Sequence, residues 1–98
     1  MAKKSSKSPC GTSFHNTFII TTPQKLIEIF GEPQYGDNDG SDKTNFDWVC
    51  ETEDGDVFTI YDWKYNRPLK MDELVDFHIG GKTGYITMTA QHEISKLL

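Results

Sequence analysis

A chain of 98 residues with a formal net charge of −5 has room for one domain and one core; at this size roughly 60–70% of the unfolded chain's surface is buried on folding, which leaves no space for a second catalytic layer or a cofactor domain. Only 36% of the residues are hydrophobic, but six Phe, four Tyr and two Trp are among them, and each buried aromatic removes on the order of 150–250 Å² from water. No run approaches the ~20 apolar residues of a membrane span, the first residues lack the apolar region of a signal peptide, and two cysteines, Cys10 and Cys50, are too few for a disulfide framework, so the expectation is a cytoplasmic protein without membrane contact.

Residues 1–12 (MAKKSSKSPCGT) are small, polar and basic. They read as a disordered tail ahead of a single domain over 13–98. Phe14 to Thr21 is rich in β-branched and aromatic residues and predicts a first strand. Thr22 as N-cap, Pro23 at the first helical position and Gly31 followed by Pro33 bracket a helix. Leu26, Ile27 and Phe30 form its apolar face. Gln34 to Thr44 holds glycines and short polar residues and predicts a surface loop.

The strongest local signal is a hairpin from Phe46 to Tyr65. Asp54-Gly55 suits a two-residue type I′ turn, which needs positive φ at both central positions. That turn pairs Trp48 with Tyr61, Cys50 with Thr59 and Asp47 with Asp62. It places Trp48, Cys50, Thr59, Tyr61 and Trp63 on one face, and Val49, Phe58 and Ile60 with Asp47, Glu51 and Asp62 on the other. Further along, 72–77 (DELVDF) predicts a short helical turn, 85–89 (YITMT) a last strand and 91–98 a terminal helix. The order β-α-β-β-α-β-α describes an α+β fold: an antiparallel sheet around the central hairpin, with one or two short helices packed on it.

Between Asp37 and Asp62 nine acids face Lys43 alone. Such a segment repels nucleic-acid phosphates, which call for Lys and Arg. It favours a basic protein surface or a cation.

Gly80-Gly81-Lys82-Thr83-Gly84 resembles the tail of a phosphate-binding loop, but Asp76 stands where that motif needs its first glycine. Its backbone N–H groups still suit an anion, with His78, Lys82 and Arg67 as neutralising charges; the plainer reading is a turn in which glycines supply positive φ. Asp37 to Asp42 invites a calcium loop, yet either alignment puts a wrong residue at a required position. Facing carboxylates at Asp47 and Asp62 cost stability unless compensated, and they lack the surroundings of a catalytic pair. His15, His78 and His92 have no metal-site spacing. Cys50, in a predicted strand, reads as a buried structural thiol.

Phe46-Asp47-Trp48, Asp54-Gly55 and Phe58-Thr59-Ile60-Tyr61-Asp62-Trp63-Lys64, followed by Phe77-His78-Ile79-Gly80-Gly81-Lys82, resemble small uncharacterised proteins of tailed bacteriophages. The resemblance covers about the middle third of the chain and implies a viral accessory protein that binds and blocks in the host cytoplasm. The leading expectation is therefore a non-catalytic binding protein without cofactor or metal, engaging a host protein of basic surface through Trp48, Tyr61, Trp63, Asp47, Asp62 and Glu51. The alternative is a nucleotide or phosphate binder using His78, Gly80, Gly81, Lys82, Thr83 and Arg67. A homo-oligomer is compatible with either; nucleic acid is not an expected partner.

Overall fold

Successive residues of a strand point to opposite faces of a sheet, and that alternation decides the layers here. The computed structural model describes residues 1–40 and 43–98. Its strands are β1 (Lys3–Lys4), β2 (Ser13–Thr21), β3 (Asp47–Glu51), β4 (Val57–Tyr61) and β5 (Val75–Gly81), and its helices are α1 (Pro23–Phe30) and α2 (Gly84–Leu97). The strands form one antiparallel sheet in the order β1-β3-β4-β5-β2. Ile19, Trp48, Cys50, Phe58, Ile60, Val75, Phe77 and Ile79 join Leu26 and Phe30 of α1 and Ala90 and Ile94 of α2 in a single core. The fold is α+β, with both helices on one face. No helix among the described residues is long and apolar enough to cross a membrane.

The hairpin forms where the sequence places it, but one residue out of the expected register. Trp48 pairs with Ile60, Cys50 with Phe58 and Asp47 with Tyr61. The reason lies in the turn. Thr52 N–H donates to Asp56 O and Gly55 N–H donates to Thr52 O, each at 2.9 Å, so the loop holds three residues, Glu53, Asp54 and Gly55. Gly55 takes φ +88°, the left-handed position that closes a three-residue hairpin loop. A one-residue change of register exchanges the faces. Trp48 and Cys50 now lie with Phe58 and Ile60 in the core, and Asp47, Val49, Thr59 and Tyr61 line the opposite face.

Helix α1 follows its signals: Thr22 Oγ1 accepts the Lys25 N–H at 3.2 Å, and the Gly31 N–H closes the last turn on Ile27 O at 2.7 Å. The C-terminal third departs from expectation. Residues 75–81 are a strand, because Val75, Phe77 and Ile79 are buried while Asp76 is exposed and His78 half-buried. That is a period of two. The expected strand over 85–89 is instead the first half of α2. Thr83 Oγ1 accepts the Ile86 N–H at 3.2 Å and starts the helix, and Thr87, Ala90 and Ile94 face the sheet at helical spacing. Gly80 and Gly81 are thus strand residues with no positive φ. Gly80 is required by close approach, since a Cβ there would lie 2.6 Å from Thr59 Oγ1.

The leader, expected to be a disordered tail, is laid on the sheet. Lys3 and Lys4 pair with Glu51 and Cys50, Ala2 and Ser5 are buried, and the Ser5 N–H donates to Val49 O at 2.9 Å. β1 lies at one edge of the sheet and β2 at the other. The chain between them must therefore cross a face, and it takes the face without helices. Lys7 Nζ ties this strap to Gly55 O at 3.0 Å and to Glu51 Oε2 at 3.3 Å.

Candidate functional site

The helix-free face is not closed by the strap, and a pocket of about 320 Å³ remains on it. Its floor is the middle of the sheet: Asp47 and Val49 of β3, Thr59 and Tyr61 of β4 and Gly80 of β5. Pro9, Thr12 and Ser13 of the strap wall one side, and Tyr35, Thr44 and Trp63 from the loops beside β3 and β4 wall the other. Tyr35 is fixed there by a backbone bridge in which its N–H donates to Asp47 O at 3.2 Å and the Asp47 N–H donates to Tyr35 O at 3.0 Å. Tyr61 and Trp63 meet edge to face, with centroids 6.1 Å apart and planes at 81°, and so form a corner. Trp63 is 40% exposed and Tyr35 58%. These are large aromatic surfaces left open at the mouth of a concave site.

Asp47 is the unusual group. Its Oδ1 is buried and has no hydrogen-bond partner among the described residues. Burial first, then the negative charge of Asp62, pushes its carboxyl up to about 6. A buried acceptor without a donor costs about 1–3 kcal/mol, and most buried polar groups avoid that cost. The neighbouring Tyr61 hydroxyl is raised above its ordinary value by burial and by the Asp47 charge. The pocket therefore sets the Asp47 carboxyl group beside three aromatic rings and the hydroxyl-bearing residues Thr12, Ser13, Thr44 and Thr59.

Of the residues expected to bind a partner, the structure brings Asp47, Tyr61 and Trp63 together at this pocket. Trp48 is not at the surface: it is fully buried, stacks on Phe46 at 5.5 Å and donates its indole N–H to Gly31 O at 2.9 Å. Asp62 does not face Asp47 across the hairpin. It is fully buried and accepts from the Asn45 and Phe46 N–H groups, both at 2.8 Å, and from Asn45 Nδ2 at 3.1 Å. Glu51 lies toward the turn with Lys7, where the Ser5 hydroxyl and then the Lys7 ammonium hold its carboxyl below the usual range.

The alternative set is dispersed. Arg67 makes a two-point ion pair with Glu73, with both N–H···O distances 2.8 Å. His78 stacks on Phe14 at 4.2 Å, and burial lowers its pKa. Thr83 is a helix cap, Gly81 packs against Thr87, and Lys82 lies beside Gly11 of the strap. Of these residues Gly80 alone reaches the pocket, as part of the floor.

Cys50 is buried, with its thiol pushed up to about 12, chiefly by burial. It is inert structural sulfur. The calcium alignments ran into Ser41 and Asp42, which lie outside the described residues; among the described residues no group of three or more His, Cys, Asp or Glu is placed to hold a metal ion.

Tyr35, Thr59 and the strap residues were not singled out in the sequence. Tyr35 carried a signal, as the lone large aromatic in a polar loop. Compared with protein-family models, curated proteins and solved structures, the chain matches none.

Proposed function

We propose that this chain is a non-catalytic binding protein that docks on a basic protein surface through the helix-free face of its sheet, anchored at the Asp47 pocket. One observation carries the reading: Asp47, the one carboxylate among the described lining residues, stands in a cavity walled by Tyr35, Tyr61 and Trp63. Exposed aromatics serve as interface anchors, and the acidic segment speeds association with a positive partner. Among the described residues the lining contains one carboxylate and no His, Cys or Lys. No imidazole, thiol or amine therefore stands beside Asp47 in that lining to complete the commoner acid–base and nucleophilic pairs. The phage resemblance adds a partner class, a host protein.

The test is titration of arginine- and lysine-rich peptides, followed by Trp fluorescence at low and high salt. Binding that weakens steeply with salt, and drops about tenfold in Trp63→Ala, supports the reading. Failure of every basic peptide to bind, or binding indifferent to both Trp63→Ala and Asp47→Asn, overturns it.

A further inference from the structure

We infer that the pocket is shaped for a guanidinium, so that the partner inserts an arginine side chain and not a lysine. This rests on the docking reading above and names the group that enters the site. Asp47 supplies the one carboxylate among the described lining residues, and a carboxylate without an ion-pair partner in a partly buried site asks for a positive group. The two basic side chains answer that demand differently. A lysine ammonium is a compact charge with a strong hydration shell, whereas a guanidinium is planar, weakly hydrated and able to stack on rings while its edge donates hydrogen bonds.

The lining fits the second description. Pro9, Val49, Tyr35, Tyr61 and Trp63 give apolar and aromatic wall, and Asp47 is the charged acceptor among them. The other polar groups of the described lining are neutral, among them the hydroxyls of Thr12, Ser13, Thr44 and Thr59, and the smaller hydration loss of a guanidinium is the easier one for them to offset. The corner made by Tyr61 and Trp63, at 81°, lets a flat cation lie against one ring and direct its N–H edge along the floor toward Asp47. Cation–ring attraction adds to that contact.

The Trp63 ring already takes cations: Lys43 and Lys64 hold their ammonium groups 5.8 and 5.6 Å from its centroid. Size agrees as well. A volume of about 320 Å³ lies at the small end of ligand sites, which run from ~300 to ~1,000 Å³. It suits one side chain better than a nucleotide.

The experiment compares two peptides, Gly-Gly-Arg-Gly-Gly and Gly-Gly-Lys-Gly-Gly, titrated into the full chain and followed by backbone amide NMR. The arginine peptide is expected to bind about tenfold more tightly than the lysine peptide. It should shift the amides of Asp47, Thr59, Tyr61 and Trp63, and lose affinity in Asp47→Asn while that variant keeps the amide spectrum of a folded protein. Equal or tighter binding of the lysine peptide, or arginine-dependent shifts confined to residues away from the pocket, overturns the inference. If neither peptide binds while longer basic peptides still bind in a Trp63-dependent way, the guanidinium assignment falls and the docking reading stands. If the longer peptides fail too, both fall.

Discussion

Asp47 and Asp62 start the same sequence argument and end it in opposite roles. Asp62 sits where the chain enters and leaves the hairpin, fully buried, and accepts three hydrogen bonds that fix the backbone of Asn45 and Phe46. Asp47 lies at the end of β3 on the other face, with one oxygen buried and unbonded. A carboxylate that is buried and satisfied is part of the scaffold. One that is buried and left unsatisfied is a liability to folding, and a binding site is the reading that gives it a use.

The largest expected effect breaks the scaffold half of this pair. Asp62→Ala strands two backbone N–H groups and the Asn45 amide, and is expected to lower unfolding free energy by about 3–5 kcal/mol in urea denaturation.

Asp47→Asn should act in the other direction, and its pH dependence identifies the cause. The folded carboxyl takes up its proton near 6, against 3.8 ordinarily. Between those values the folded state holds more protons than the unfolded one, so stability falls as pH rises through the window. Above about pH 6 the full penalty of the charged form is present; below about pH 4 it is gone. A rise of this size corresponds to roughly 3 kcal/mol, which partial exposure to water reduces to about 1–2 kcal/mol. Asp47→Asn is therefore expected to be more stable than the parent by that amount at pH 8 and equal to it at pH 3.5, in paired urea titrations. His78, Tyr61 and Asp62 are common to both proteins, so the difference isolates Asp47.

Trp63→Ala sharpens the contrast from the binding side. Trp63 is 40% exposed, so stability should change by less than about 1 kcal/mol, while affinity for an arginine-rich peptide falls about tenfold. The smallest effect concerns the coupling of the two carboxylates. Asp62→Asn removes the secondary cause of the Asp47 rise and leaves the primary one, burial. The Asp47 carboxyl should titrate lower than in the parent but still above 3.8.

The elements with local signals were legible in the sequence. Thr22, Pro23 and Gly31 mark α1 within the chain itself, and Asp54-Gly55 marks the hairpin. The register was not legible. Asp54-Gly55 serves a two-residue turn or the end of a three-residue loop, and packing of Trp48 and Phe58 under the helices chooses between them. β-branched Ile86, Thr87 and Thr89 disguise the start of α2, where the Thr83 cap and the burial of Ala90 and Ile94 outweigh propensity. The leader looked like a tail because it is held by backbone pairing, by small buried residues such as Ala2 and Ser5 and by the Lys7 ammonium, none of which leaves a periodic pattern. Half of the site was visible in Asp47, Tyr61 and Trp63. Tyr35, Thr59 and the strap reach it only through tertiary structure.

The most direct test of the account is a side-chain carboxyl NMR titration of Asp47, without and with an arginine-bearing peptide. The account predicts a midpoint near pH 6 in the free protein and a clear fall on binding, because a bound cation favours the charged carboxylate. An ordinary midpoint near 4 in the free protein, unmoved by the peptide, would contradict it.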